Sequence, residues 1–267
     1  MIKEYAAGHT PNPDVMCNKE IKFGLFFDKA MELGADYIAT GHYVRKSAEN
    51  KLLKAKYLDK DQSYFLWTLK KSQVEKCLFP IGEIETKNKV REIAAQYNLP
   101  TANKKDSQGI CFMGPVDIQE FIKPYIKTVV GDIVTITGQK IGMHTGLDFF
   151  TIGQRKGIGV GGTGPYYVAR KDYSSNTLIV ASTKDQSALD SKSLVANEVS
   201  FICDESKTPI DIQAAIRYRQ EPVPAILSKV EGEKWRVDFK EPVRAITEGQ
   251  SVVFYNGDEL LGGGIIS

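Results

Sequence analysis

Residues 11–43 read PNPDVMCNKEIKFGLFFDKAMELGADYIATGHY, and this stretch decides the class of fold. Asp14 is a suitable N-cap for a helix. The apolar residues that follow it recur at helical spacing: Ile21, Leu25, Phe26, Ala30 and Leu33. The apolar run 36–43 then predicts a buried strand that ends in a loop. A helix over 14–33 that leads into such a strand predicts an α/β layer rather than an all-helical fold.

Beyond this stretch the chain changes from mixed to almost purely extended patterning. Residues 86–98 predict a second helix, which Thr86 caps. From about residue 190 onward, six short runs of β-branched and aromatic residues have the spacing of an antiparallel barrel. We therefore expect three parts: an α/β part over residues 1–114, a small mixed α+β part over 115–185 and an all-β barrel over 186–267.

The composition excludes several classes of protein. The chain has 267 residues, of which 42% are hydrophobic and 25% charged, as in ordinary soluble globular proteins. No apolar run approaches the roughly 18 residues of a membrane span, and the first residues lack the apolar core of a signal peptide. Four cysteines are too few for a disulfide-stabilised fold of this size. We therefore expect a cytoplasmic protein without a membrane partner.

The charge distribution leaves two interpretations open. The net charge is only +2, so the whole molecule does not have the charge of a typical nucleic-acid-binding protein. Basic residues nevertheless cluster between positions 45 and 60: Arg45, Lys46, Lys51, Lys54, Lys56 and Lys60. Such a cluster indicates either a solvated face or a contact with the phosphate backbone of a nucleic acid.

Cys17 lies in a polar segment, GHTPNPDVMCNKEIKFG, which is unusual because most free cysteines are buried among apolar neighbours. If Asp14 caps the first helix, Cys17 is its third residue. The helix dipole and unpaired backbone N–H groups there stabilise a thiolate, and Asp14 lies within one turn as a candidate acid or base. The alternative is an incidental thiol beside an ordinary capping aspartate.

Cys111 lies in a second polar segment, KKDSQGICFMG, whose composition is that of a loop. Two lone thiols that meet in space can exchange a disulfide or a persulfide. Neither cysteine belongs to a CxxC pair, and no Cys/His cluster has zinc spacing, so we predict no metal site. Cys77 and Cys203 have apolar neighbours, and we expect both to be structural.

Six segments together identify a family that the chain resembles. They are TPNPDVMCNKEIKF, ATGHY, DQSYFL, KKDSQGICFMG, FTIGQRKGIGVGG and RYRQEP, and they extend over nearly the whole chain. In this order they resemble the bacterial tRNA-specific 2-thiouridylases (MnmA/TrmU family). The resemblance implies that the first part of the chain belongs to a Rossmann-like nucleotide-binding domain of the PP-loop ATPase type.

The resemblance also implies a reaction. Family members activate the C2 carbonyl of the tRNA wobble uridine with Mg-bound ATP and then replace its oxygen with sulfur. Cys111 would carry a persulfide received from a sulfur-relay protein. Cys17 would act as the nucleophile that attacks this persulfide, releasing hydrosulfide and leaving a Cys17–Cys111 disulfide. A direct attack of the Cys111 persulfide on the activated base remains an open alternative.

Further site residues follow from matching the family motifs. Asn12, Pro13 and Asp14 match the contact to the target base, with Asp14 the candidate acid/base. Gly41 matches an ATP-binding position, although it is also suited to a simple turn after a strand. Other positions match tRNA contacts: His42, Asp61, Gln62, Ser63, Arg217, Tyr218 and Gln250. We expect a monomer with tRNA as its partner.

The chain departs from the family pattern in one respect. Family members begin with a strand and an SGGxDS phosphate-binding loop, and SGGxDS does not occur in this sequence. We therefore expect a truncated form of the enzyme. The alternative is a non-catalytic tRNA-binding module with relic thiols. A third interpretation, a thiol–disulfide redox protein, is disfavoured because CxxC is missing.

Because the phosphate-binding loop is missing from the sequence, we predict that this chain alone does not adenylate tRNA. Incubation of the purified chain with ATP and unmodified tRNA, followed by nucleoside mass spectrometry, should give no 2-thiouridine. ATP-dependent thiolation in that experiment would contradict the prediction.

Overall fold

The fold is that of a computed structural model, which describes residues 1–104, 118–161, 164–202 and 208–267. Cys111, the predicted persulfide carrier, and Cys203 lie outside the described residues. Within the described ranges, none of the helices is both long and apolar enough to cross a membrane.

The helix predicted over 14–33 is present but is built from three pieces. After a short helix α1 (Ile2–Ala6), these pieces are α2 (Pro13–Met16), a wide π-type stretch (Cys17–Leu25) and α3 (Phe26–Glu32). Gly24 interrupts the series with φ −101° and ψ −105°, and a Cβ there would lie 2.8 Å from the carbonyl oxygen of Lys19. Any other residue would place its Cβ too close to this oxygen. The glycine at position 24 therefore permits the break in the helix.

The predicted N-cap of this helix was wrong. Asn12, not Asp14, caps it, because the Asn12 side chain accepts a hydrogen bond from the backbone N–H of Val15 at 3.3 Å. Pro13 then occupies the first helical position, where its missing N–H costs nothing.

The strand predicted over 36–43 is shorter than expected. Strand β1 (Ile38–Ala39) has two residues and lies parallel to β4 (Cys77–Leu78). In the sequence, β1 and β4 are separated by the hairpin strands β2 (Val44–Lys46) and β3 (Leu52–Lys54) and by helix α4 (Lys71–Glu75). The second predicted helix is confirmed as α5 (Lys87–Gln96), and Thr86 accepts its capping bond from the N–H of Lys89.

The middle of the chain forms a small four-stranded sheet. Helix α6 (Ile118–Ile122) precedes its strands, which are β5 (Gly131–Thr135), β6 (Lys140–His144), β7 (Tyr166–Asp172) and β8 (Thr177–Ser182). The strand order is β6-β5-β8-β7, with β5 and β8 parallel and the other pairs antiparallel. Ile133, Val168 and Leu178 have no exposed surface and fill its core.

The predicted barrel is confirmed. Its strands are β9 (Asp190–Phe201), β10 (Ile210–Ala215), β11 (Val223–Lys229), β12 (Trp235–Arg244), β13 (Ser251–Asn256) and β14 (Glu259–Ile266). The sheet closes because β13 pairs with both β10 and β14, and β14 pairs with β9. Strand β3 attaches to the barrel through the pair Leu53 and Glu259.

The barrel and the N-terminal part share one hydrophobic core. Trp67 donates from its indole N–H to the Ser251 hydroxyl at 3.0 Å, and the Tyr64 hydroxyl donates to the Ser251 carbonyl at 2.8 Å. A Cβ at Gly263 would lie 2.7 Å from the Trp67 ring. The glycine therefore lets the indole lie directly on the barrel wall.

Candidate active site and RNA-binding surface

The segment before the first long helix is held against the barrel. The Gln250 side chain donates to the Thr10 carbonyl at 2.8 Å, and the N–H of Thr10 donates to the Glu248 carbonyl at 2.9 Å. A Cβ at Gly249 would lie 2.9 Å from the Thr10 nitrogen. Gln250, predicted from its motif as a tRNA contact, therefore also positions the Asn12–Pro13 segment.

Cys17 lies two residues further along the helix than we predicted. With Asn12 as the N-cap, it is the fifth helical residue, and its backbone N–H is bonded to the carbonyls of Pro13 and Asp14. The helix dipole acts mainly within the first turn. Because Cys17 lies beyond that turn, the dipole does not stabilise its thiolate as we predicted. What the position does provide is a half-buried thiol.

The Cys17 thiol lines a cleft of about 600 Å³ between the first helix and the barrel. Asn12 and Pro13, both predicted to contact the target base, line the same cleft. Trp67 and Ile265 form part of its opposite wall. Both the volume and the mostly apolar lining are typical of small-ligand pockets. We refer to it as the cysteine cleft.

Asp14 and His42 both interact with Lys22, which was not among the predicted site residues. Burial raises the pKa of the Asp14 carboxyl, and the positive charge of Lys22 partly opposes this rise. His42 is 7% exposed, and burial, assisted by the charge of Lys22, lowers its pKa to about 3. Its Nε2 lies 3.3 Å from the Lys22 ammonium nitrogen, and its Nδ1 lies 2.9 Å from the Thr40 hydroxyl.

Gly41 leaves room for a ligand. It is exposed, and a Cβ built on it would meet no atom within 4 Å. The backbone between Thr40 and His42 is therefore open on this side, which fits the close approach of a nucleotide that the family motif implies.

The side chains of the DQS segment, residues 61–63, form hydrogen bonds within this loop and to neighbouring backbone. The Asp61 carboxylate accepts from the N–H of Ala55 at 2.8 Å and from the Ser63 hydroxyl at 2.6 Å. Burial raises the pKa of Asp61, whereas these hydrogen bonds lower it. Gln62 accepts from the N–H of Tyr43 at 3.0 Å. Ser63 has no exposed surface, so in this structure its side chain shapes the loop and does not itself face a ligand.

A second cleft brings together residues that are far apart in the sequence. It has a volume of about 700 Å³ and is lined by Asp61, Arg217 and Tyr218. Three basic residues that were not predicted individually as site residues complete it: Lys54, Lys60 and Arg219. Tyr218 packs on Phe65 with ring centres 4.5 Å apart, and the Arg219 guanidinium lies 5.2 Å from the Tyr218 ring. Cations beside an aromatic ring suit an RNA backbone and its bases. We call it the basic cleft.

Five of the six basic residues between positions 45 and 60 divide into two groups, while Lys46 donates to the backbone carbonyls of Val74 and Glu75. Arg45 forms an ion pair with Asp258 at 2.8 Å, Lys51 with Glu259 at 2.9 Å and Lys56 with Glu85 at 3.1 Å. Lys54 and Lys60 instead line the basic cleft. The structure therefore supports the solvated-face interpretation for the first group, whereas the second group lines the basic cleft.

Arg217 has a role that the motif did not reveal. Its Nη2 donates to the carbonyls of Ile152 and Ala245, both at 3.0 Å. It thereby joins the middle part of the chain to the barrel while lining the basic cleft.

Comparisons with known proteins agree with this geometry. Residues 1–115 match the family model of the tRNA methyl transferase HUP domain, residues 119–182 its PRC-barrel domain, and residues 191–266 the aminomethyltransferase β-barrel domain. These matches confirm the predicted sequence of an α/β part, a small mixed part and a barrel.

Curated relatives match over nearly the whole chain. The chain is 49% identical over 276 residues to the tRNA-specific 2-thiouridylase MnmA of Haemophilus ducreyi, covering 99% of this chain and 71% of the relative. It is 50% identical over 269 residues to the protein of that name from Neisseria gonorrhoeae, covering 99% and 73%. For the Pasteurella multocida protein of that name the identity is 49% over 275 residues, covering 99% and 72%.

The buried, neutral His42 predicts a pH dependence of stability. Between its folded pKa of about 3 and its unfolded value of 6.5, the unfolded state binds a proton that the folded state does not. Stability must therefore fall as pH decreases through this window, by up to about 1.4 kcal/mol per pH unit from this group.

Urea unfolding of the wild type and the His42→Gln variant between pH 7 and pH 4.5 measures this contribution. The variant should show a smaller loss of stability on acidification. His9→Gln is the matched control, because His9 is partly exposed and paired with Glu4. Parallel curves for wild type and His42→Gln would contradict a buried, neutral His42.

Proposed function

This chain belongs to the family of tRNA-specific 2-thiouridylases, and from this premise we propose that it carries out the sulfur-transfer step by which C2 of the wobble uridine in tRNA is thiolated. It is thus an enzyme of the sulfurtransferase class that acts on tRNA. The observation that carries the proposal is the cysteine cleft, which Cys17 lines together with Asn12 and Pro13. A base that enters this cleft lies beside a nucleophilic sulfur.

The cysteine-containing motif favours sulfur transfer over methyl transfer. The matching family models carry a methyl transferase description, whereas the curated relatives are named for thiolation. Methyl transfer requires neither of the two polar-context thiols, while a persulfide route requires both. The mass of the modified nucleoside distinguishes exchange of oxygen for sulfur from addition of a methyl group.

The sulfur route that we propose uses Cys111 as carrier and Cys17 as nucleophile. A sulfur-relay protein loads Cys111 with a persulfide. The Cys17 thiolate attacks the inner sulfur, so that a Cys17–Cys111 disulfide forms and hydrosulfide departs with the S–S bonding pair. A thiol reductant later restores both thiols. Asp14, whose pKa is raised by burial, serves as the acid/base beside the target uridine.

ATP and tRNA are the proposed substrates, ATP as its Mg complex. Gly41 gives the nucleotide an open stretch of backbone, and ATP makes the C2 oxygen of uridine a leaving group. The basic cleft holds the tRNA through Lys54, Lys60 and Arg219, with Tyr218 as a stacking surface. We further propose that the protein acts as a monomer in the cytoplasm.

Persulfide chemistry separates this proposal from a non-catalytic tRNA-binding module. The protein is loaded with polysulfide, freed of excess reagent and examined by mass spectrometry and a sulfide assay. The wild type should release hydrosulfide and acquire a Cys17–Cys111 cross-link. Cys17→Ser should instead retain the persulfide on Cys111.

Cys77→Ser is the matched control for the thiol experiment. Cys77 has no exposed surface, and burial raises the pKa of its thiol to about 12. It should therefore take up no sulfur, and its loss should leave sulfide release unchanged. Equal release by wild type and Cys17→Ser would contradict the role of Cys17. Failure of Cys111 to load would favour the tRNA-binding module.

The basic cleft makes a separate prediction about RNA affinity. Each of Lys60→Ala and Arg219→Ala should weaken tRNA binding and reduce the slope of log affinity against log salt by about 1, because each removes one phosphate contact. Fluorescence anisotropy over a series of KCl concentrations measures both quantities.

Lys56→Ala is the control for RNA binding. Lys56 carries the same charge in the same segment but pairs with Glu85 outside the lining of the basic cleft. If this variant weakens tRNA binding as much as Lys60→Ala, the cleft is not the RNA site.

A further inference from the structure

Lys22 interacts with two of the predicted site residues of the first part of the chain, Asp14 and His42. Its ammonium nitrogen lies 3.3 Å from Nε2 of His42, the residue that follows Gly41. Its charge also acts on Asp14, two turns earlier on the same helical stretch. Lys22 is thus electrostatically coupled to Asp14 and hydrogen-bonded to the ring of His42, the residue next to Gly41.

His42 fixes the ammonium group without neutralising it. The ring is buried and stays neutral at physiological pH. Since Nε2 accepts from the Lys22 ammonium, the hydrogen-bond network assigns the ring proton to Nδ1, which donates to the Thr40 hydroxyl. This chain of two hydrogen bonds orients the lysine and leaves its full positive charge in place.

Among the described residues, Lys22 forms no ion pair with a carboxylate. In the part of the chain that the structure describes, no ion pair within 4.0 Å joins Lys22 to an acidic group, Asp14 included. Asp14 and Lys22 are both half-buried. An ammonium group with one neutral acceptor and two remaining N–H donors is suited to an anion that approaches from the open side at Gly41.

We propose that Lys22 is a further substrate-binding residue, whose ammonium group binds the phosphate of the nucleoside monophosphate moiety between Asp14 and Gly41. The inference rests on the proposed function. It names Lys22 as the residue that binds the phosphate of the nucleoside monophosphate released in the reaction. The ligand class is a phosphate monoester attached to a nucleoside.

The chemistry of the reaction explains why a cation is needed here. The uridine O2 attacks the α-phosphorus of ATP, and pyrophosphate departs with the electrons of the broken P–O bond. Sulfur then attacks C2, and the C2–O bond breaks so that AMP departs with that bonding pair. The phosphate gains negative charge in this second step, and Lys22 stabilises it through a charge-assisted hydrogen bond.

The test compares the binding of AMP and adenosine to the purified chain by NMR titration. Wild type should bind AMP more tightly than adenosine. Lys22→Met should lose about tenfold in AMP affinity, because a hydrogen bond between charged partners is removed, while its affinity for adenosine stays the same. Lys22→Arg should recover most of the difference, since it restores the charge and the donors.

Lys29→Met is the matched control. Lys29 lies on α3, exposed and paired with Glu32 at 2.9 Å, so its loss should leave the AMP preference unchanged. Circular dichroism confirms that each variant is folded.

Two results would overturn the inference. One is wild type that binds AMP no better than adenosine, or binds neither ligand. The other is a preference for AMP that persists in Lys22→Met. Either result, in a wild-type protein that still binds tRNA and loads a persulfide on Cys111, leaves the proposed function intact. Wild type that fails in those two assays instead contradicts the proposed function.

Discussion

The buried joint between the barrel and the segment around Tyr64–Trp67 is the constraint on which both clefts depend. Ser251 is 2% exposed and satisfies two aromatic donors at once, the Trp67 indole through its hydroxyl and the Tyr64 hydroxyl through its carbonyl. Buried polar groups of this kind are costly to leave unpaired. Gly263 lets the Trp67 ring reach the barrel wall. The joint therefore requires Tyr64 and Trp67 in the N-terminal part, and Ser251 and Gly263 in the barrel.

Residues of this joint line both clefts. Trp67 and Ser251 line the cysteine cleft, whereas Tyr64 and Tyr255 line the basic cleft. These wall residues are buried, and Tyr64 and Trp67 are both hydrogen-bonded to Ser251, which limits how far the two clefts can move relative to each other. An RNA held by its backbone in the basic cleft can thus present a base at a set distance from Cys17, which positioned chemistry requires.

Sequence patterns correctly predicted the features that depend on nearby residues. They failed for features whose position or burial is determined by contacts between distant residues. The barrel and α5 follow from periodicity and capping residues. The start of the first helix was misplaced by two residues, because the preference of proline for the first helical turn makes Asn12 the cap. The burial of Ser63 depends on its distant neighbour Tyr255, 3.1 Å away, and no local pattern encodes it. The contact between Lys22 and His42 could not be predicted for the same reason, since the two residues lie on different segments.

Arg217 shows how one residue can serve structure and ligand together. The two hydrogens of Nη2 satisfy the carbonyls of Ile152 and Ala245. A guanidinium has five N–H donors in a rigid plane, so three of them remain for a phosphate in the basic cleft. A phosphate contact therefore does not require the junction between the middle part and the barrel to open. Lysine has a single nitrogen with three tetrahedral donors, so it would lack the separate Nε and Nη1 donors that arginine keeps when Nη2 is bonded to both carbonyls.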